Sequence, residues 1–209
     1  MAKYLNWVTV EQAIRNSKVT LFTPLDLKRI LGASEISVRF FLTRYTKKGT
    51  LVKLRRGLYA LVNNLPSDFE IANILYQPSY ISLTYTLAYY HIIPEIVYTI
   101  TSVTTCPTYN FNVLGKTFRY HRIKKNVFTG YMPEKVEGKI ILIADKEKAF
   151  VDYLYFVSRK IYSLNSRLDV SSLNEKKVTQ YAELFNCKSL NRLIMGLSQN
   201  NVDYLESQI

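Results

Sequence analysis

The chain has 209 residues, 48% of them apolar, and a formal net charge of +12. That is enough apolar material for a real core in one large domain or two small ones. No segment approaches the roughly 20 apolar residues that a bilayer crossing needs, and the opening MAKYLNWVTVEQ has no apolar run of signal-peptide length, so a cytoplasmic protein with no membrane partner is expected. Cys106 and Cys187 stand far apart with no thiol or histidine at zinc spacing. Two buried free thiols are expected, with no metal and no other cofactor. No internal repeat, low-complexity tract or long linker is present.

The charge is uneven. Residues 1–62 carry 12 basic and 3 acidic side chains, whereas residues 63–209 carry 16 and 13. A positive excess concentrated on one third of a chain points to a polyanion.

In chain order, residues 10–17 suit a helix capped by Thr9. The next helix has clear ends. Thr23 can cap it, Pro24 suits its first position, Asp26 lies near its positive end, and Gly32 ends it. Leu27, Ile30 and Leu31 give it an apolar face. Ser34 then caps a third helix running to about Lys48. Val38, Phe41, Leu42 and Tyr45 recur with helical spacing as its core face. The opposite face presents Ser37, Arg39, Phe40, Thr43, Arg44 and Lys47, and is expected to carry no acid. Residues 51–54 and 58–61 read as two strands joined at Arg55-Arg56-Gly57.

Two short helices, a tight turn and a basic hairpin are the pattern of a winged helix-turn-helix, whose second helix enters the DNA major groove. Ser37, Arg39 and Phe40 would approach base edges, where Arg can bond guanine in bidentate fashion and Phe can touch a thymine methyl. Lys47 and Lys48 would meet phosphates. A basic hairpin tip at Arg55 and Arg56 can grip phosphate or enter the minor groove. For each cation taken singly, a solvated side chain that contacts nothing is the alternative.

Residues 63–68 read as a short junction, dividing the chain into a DNA-binding domain over 1–62 and a second domain over 69–209. Asp68 could cap a helix over 69–76. Ser82 could cap another, with Leu83, Leu87 and Tyr90 on one face, ended by Pro94. Residues 97–105 are β-branched and read as a strand. Residues 112–116 hold a turn at Gly115, and 117–123 alternate as a partner strand. Residues 139–144 read as a buried strand. Residues 145–157 read as a helix with Ala149, Phe150, Tyr153 and Leu154 inward. The tail reads as helices over 175–185, 189–197 and 202–208. The fold class is α+β: an N-terminal winged helix-turn-helix, then a mixed α/β domain that is helical from about residue 145.

Several of these stretches have a family likeness. FTPLDLKRILGAS, TRYTKKGTLVKLRRGLYAL, PSYISLTYTLAYYHIIPE, ITSVTT, TFRYHRI followed by FTGY, and IADKEKAFVDYLY occur in the order seen in the AbiEi antitoxins. The chain resembles that family over about residues 20–157; the tail after about 160 carries no matching motif. The resemblance implies a transcriptional autorepressor that binds inverted repeats of double-stranded DNA in its own promoter. It also implies a second domain that counteracts a co-encoded nucleotidyltransferase-like toxin in phage abortive infection, without a stable complex (type IV). DNA contact is carried over to Arg39, Arg44, Lys47, Lys48, Arg55 and Arg56. Lys146, Lys148 and Asp152 fall in the motif IADKEKAFVDYLY as weaker candidates for antitoxicity; their alternative is a solvated helix face beside a core stripe.

Catalytic signals are thin. His91 and His121 are the only histidines, neither beside an orienting carboxylate in sequence, and no serine or cysteine lies in a nucleophile motif. No glycine-rich phosphate loop exists, so no enzyme is expected. Two alternatives remain open. Asp145, Glu147 and Lys148 after a strand could serve a metal-dependent nuclease. The tyrosines, among them Tyr80, Tyr85, Tyr89, Tyr90, Tyr98 and Tyr109, could line a groove in a ligand-responsive regulator, although such rings more often pack a core edge.

Overall fold

The computed structural model describes residues 5–198; the helix expected over 202–208 lies outside the described residues. The chain divides into two compact units, residues 1–71 and 72–209. Both contain helices and sheet, an α+β composition.

The first unit holds α1 (Trp7–Asn16), β1 (Leu21–Phe22), α2 (Pro24–Leu31), α3 (Glu35–Lys47), β2 (Leu51–Arg55) and β3 (Leu58–Leu61). Helix α1 starts earlier than its sequence pattern predicts. Asn6, not Thr9, is the cap, its side chain accepting from the Val8 N–H at 3.1 Å. The added turn is rewarded by tertiary packing, because Trp7 stacks on Phe41 at 6.0 Å between centroids and lies 4.8 Å from Tyr45. Helix α2 has the expected ends. Asp26 N–H donates to Thr23 Oγ1 at 3.2 Å and Thr23 N–H donates to Asp26 Oδ2 at 2.8 Å, a reciprocal capping box.

Strand β1, too short to show alternation, pairs antiparallel with β3, giving the sheet order β1-β3-β2. Val10, Ile14, Phe22, Leu27, Val38, Phe41, Leu42, Leu51 and Leu61 form the core beneath it. The apolar positions of α1, α2 and α3 thus meet in one place, which is what lets helices this short hold their shape.

Helix α4 (Asp68–Leu75) spans the division between the units. Its start is held by Ser67, whose Oγ accepts from the Glu70 N–H at 3.3 Å, rather than by Asp68. The second unit continues with β4 (Ser79–Ile81), α5 (Leu83–Tyr89), β5 (Ile100–Thr104), β6 (Tyr109–Val113), β7 (Lys116–Arg122), β8 (Tyr131–Val136), β9 (Lys139–Ala144), α6 (Lys146–Ser158), α7 (Glu175–Phe185) and α8 (Lys188–Ser198).

The six strands are ordered β6-β7-β5-β4-β9-β8. β4–β9 and β5–β7 pair in parallel and the other neighbours antiparallel. The strand expected from residue 97 begins at Ile100, and Tyr98 is 82% exposed in the preceding loop. Strand β9 is buried on both sides toward its end, at Ile143 and Ala144, but Ile140 near its start faces solvent. Helix α6 packs against α5, α7, α8 and β9 and is buried almost all round, the pattern of a central helix. Cys106 and Cys187 are free but half-buried, not fully buried as expected. Among the described residues, no helix is long and apolar enough to cross a membrane.

Candidate nucleic-acid interface

Helix α3 and the hairpin after it each carry a cluster of exposed cations. Val38, Phe41, Leu42 and Tyr45 are buried as their spacing predicts. Arg39, Phe40, Thr43, Arg44, Lys47 and Lys48 are exposed, and Ser37 is half-buried. Ser37 is largely spent on the helix start: its N–H donates to Ser34 Oγ at 3.2 Å and the two hydroxyls lie 3.0 Å apart. Thr43 Oγ1 donates to the Arg39 carbonyl at 3.0 Å, so its proton is engaged by its own helix. Arg44 and Lys48 both lie over the Tyr45 ring, at 5.7 Å and 5.4 Å from its centroid. The ring therefore lies within cation–π range of both.

One expectation about this face is corrected. It is not free of acid. Glu35 sits one turn before Arg39, and its Oε1 accepts from Arg39 Nη2 at 3.1 Å with both side chains exposed. The i, i+4 spacing in the first helical turn favours this pair. Read in sequence from Ser37 onward, the outer face gives Glu35 no role, and its i, i+4 reach to Arg39 is missed.

The hairpin between β2 and β3 turns at Arg56-Gly57, with Arg55 already opposite Leu58 and an irregular register between Lys53 and Arg55. Gly57 has φ +78, a conformation in which a Cβ is strained. Lys53, Arg55 and Arg56 are exposed, and Arg55 Nη1 donates to the Arg56 carbonyl at 3.2 Å. Strand β2 packs against α3. The helix and the hairpin therefore belong to one packed body, with no described side-chain contact between their cations.

In the second unit the three candidates of the IADKEKAFVDYLY motif do not form one surface. Lys146 is half-buried and its Nζ donates to the Ser172 carbonyl. Lys148 and Asp152 are wholly buried and paired with each other, so the solvated-face alternative does not describe them. Asp152 Oδ2 also accepts from Ser82 Oγ at 2.8 Å and from the Tyr80 hydroxyl at 3.0 Å. Burial pushes the Tyr80 hydroxyl well above its usual range, with the Asp152 carboxylate adding to the rise. Ser82 therefore turns inward instead of capping α5, and Leu83, the next residue, takes φ +63, strained for a branched side chain. Two motifs that are distant in sequence, PSYISL and IADKEKAFVDYLY, meet at this carboxylate.

The acids a nuclease would need are committed elsewhere. Asp145 Oδ1 accepts from the Lys148 N–H at 2.7 Å and Oδ2 accepts from the Tyr181 hydroxyl at 2.7 Å. Glu147 Oε1 accepts from the Asn174 N–H at 3.1 Å. Among the described residues, no group of three or more His, Cys, Asp or Glu could hold a metal ion. His121 lies in β7 with its Nε2 2.9 Å from the Tyr162 hydroxyl. Burial, with Arg119 adding to it, pushes its pKa down to about 4, so the ring is neutral near pH 7. His91 is exposed after α5.

Residues 2–62 match the family model of a transcriptional regulator, the AbiEi antitoxin, which bears out the resemblance over that stretch. The crystal structure of the RV2827C protein from Mycobacterium tuberculosis is similar in fold. The two share 12% identity at a TM-score of 0.51, over 94% of this chain and 83% of that one. No curated protein matches the chain.

Proposed function

We propose that the protein is a sequence-specific DNA-binding regulator and the antitoxin of an AbiE-type system. In this reading residues 1–62 form a winged helix-turn-helix. Helix α3 lies in the major groove and the Arg55-Arg56 hairpin lies on the flanking backbone. The observation that carries the reading is the coincidence of six exposed cations, Arg39, Arg44, Lys47, Lys48, Arg55 and Arg56, with the segment that matches the AbiEi regulator family. Autorepression at inverted repeats in its own promoter, and opposition to a nucleotidyltransferase-like toxin without a stable complex, complete the proposal.

The test has two arms. The full chain is titrated against a duplex from its own upstream region at several salt concentrations. If about six side chains neutralise phosphate, the log–log slope is roughly −5; a nearly flat response defeats the DNA reading. The adjacent reading frame is then co-expressed with the full chain, or with its Lys47→Ala/Arg55→Ala/Arg56→Ala variant, and scored for growth. Rescue by the variant separates antitoxicity from DNA binding, and no rescue by either chain removes the antitoxin role.

A second reading, a ligand-responsive regulator with no toxin partner, is favoured by one observation. A partly open cleft of about 280 Å³ lies among Phe150, Leu173, Val178, Ile194 and Leu197, close to the usual size of a small-molecule site. Growth unaffected by the adjacent reading frame is the outcome that favours it.

A further inference from the structure

The outermost line of α3 is not made of the residues that usually read bases. At 3.6 residues per turn, the positions directly opposite Val38, Leu42 and Tyr45 are Ile36, Phe40, Thr43 and Lys47. Ile36 is 65% exposed and Phe40 is 73% exposed, and at i, i+4 they lie one above the other on the helix surface. Thr43 continues the line with its hydroxyl proton donated to the Arg39 carbonyl. The crest of α3 is thus apolar along its first two turns and basic only at Lys47. Arg39 and Arg44 flank it on opposite sides, and Arg39 is held back toward Glu35.

Two large apolar side chains in water on an otherwise cationic face call for an occupant. The surrounding charge selects it: Arg39, Arg44, Lys47 and Lys48 suit a polyanion and oppose an ordinary apolar protein surface. In the major groove of a duplex the one apolar feature on a base edge is the C5-methyl group of thymine. Resting on the DNA-binding reading above, we propose that the protein selects its site through thymine methyl groups packed against Ile36 and Phe40. The flanking cations hold the phosphates of the groove walls. The favoured half-site is therefore thymine-rich beneath the first two turns of α3, and Arg39 contributes affinity more than it reads guanine. Ile36 is a specificity residue that the sequence pattern did not single out, although its spacing from Phe40, Thr43 and Lys47 was there to read.

The test starts with the full chain and a pool of random duplexes. The duplexes it enriches are resynthesised with deoxyuridine in place of thymidine at each position in turn, which removes the methyl and leaves base pairing intact. Affinity is expected to fall roughly fourfold for each contacted methyl, the worth of about one buried methylene. Ile36→Ala or Phe40→Ala is expected to abolish that thymine preference while binding keeps its salt slope. Both side chains are exposed, so neither change is expected to disturb folding; circular dichroism and a thermal melt check this. Equal affinity for the thymidine and deoxyuridine duplexes by a protein that still enriches a defined sequence overturns the methyl readout and leaves the DNA reading standing. Enrichment of no sequence, with a flat salt response, overturns both. A change in sedimentation in the Phe40→Ala protein with no thymine preference in the parent assigns the crest to a contact between copies and also overturns the proposal.

Discussion

Lys148 and Asp152 lie one turn apart on α6, both wholly excluded from solvent, with the ammonium donating to the carboxylate. The pair is polar, yet it sits where a helix normally presents leucine. It is tolerated because Ser82 and Tyr80 complete the carboxylate's hydrogen bonds and the ammonium also lies 5.0 Å from the Phe185 ring centroid. Asp152→Ala is expected to destabilise the protein by about 3–5 kcal/mol, because it leaves the buried Lys148 amine and two hydroxyls without their partner. Lys148→Met combined with Asp152→Leu is expected to cost less than the sum of the two single changes. A double-mutant cycle by denaturant unfolding checks this, and additive losses reject the coupling.

Glu35 weakens the face it stands on. Glu35→Gln weakens the hold on Arg39, since the amide oxygen still accepts but no longer carries charge, and removes a negative charge beside the proposed duplex surface. Binding to DNA is therefore expected to tighten at low salt and the salt slope to steepen, by up to about one unit if Arg39 then meets a phosphate. Lys47→Ala is expected to act in the opposite sense, weakening all sequences alike and reducing the slope by about one. Salt titrations of the two variants beside the parent decide the matter. An unchanged slope in both means that α3 does not approach the phosphates.

His121 links stability to acid. Its folded-state pKa of about 4 lies below the usual 6.5 of the ring. Between these values the unfolded chain binds the proton and the folded chain does not, so stability falls as pH drops from 6.5 toward 4. The loss is expected to be on the order of 2 kcal/mol. In His121→Gln that part of the pH dependence disappears. Unfolding midpoints at pH 7 and pH 4.5 for parent and variant measure it, and parallel curves discard it.

Gly130 closes on the buried pair. Its φ is +75, and a Cβ built there would stand 2.8 Å from Lys148 Cγ and from the Tyr181 ring. Gly138 has a similar φ of +78 with nothing within 4 Å. Gly130→Ala is therefore expected to cost about 1–3 kcal/mol more than Gly138→Ala, the excess being overpacking alone. Equal losses in the two melts indicate that the surroundings of Lys148 give way freely.

Local chemistry settled much of this protein before any contact was known. Thr23, Pro24 and Gly32 bounded α2, the period of Val38, Phe41, Leu42 and Tyr45 named the core face of α3, and the apolar run KIILIA marked β9 to the residue, as the helix read over 175–185 did α7. These signals are legible because each depends on neighbours within a turn or a strand. The tertiary structure alone decided the rest. It pairs β5 in parallel with β7 and makes a central strand of the three residues in β4. It extends α1 onto an aromatic pair and turns Ser82, Tyr80 and Lys148 toward Asp152. All of these depend on partners far along the chain, and a side chain's letter does not record whether such partners will arrive. A lysine and an aspartate four apart read as a solvated face in sequence, and only the packing of α5, α7 and α8 around α6 made them the buried centre of the second unit.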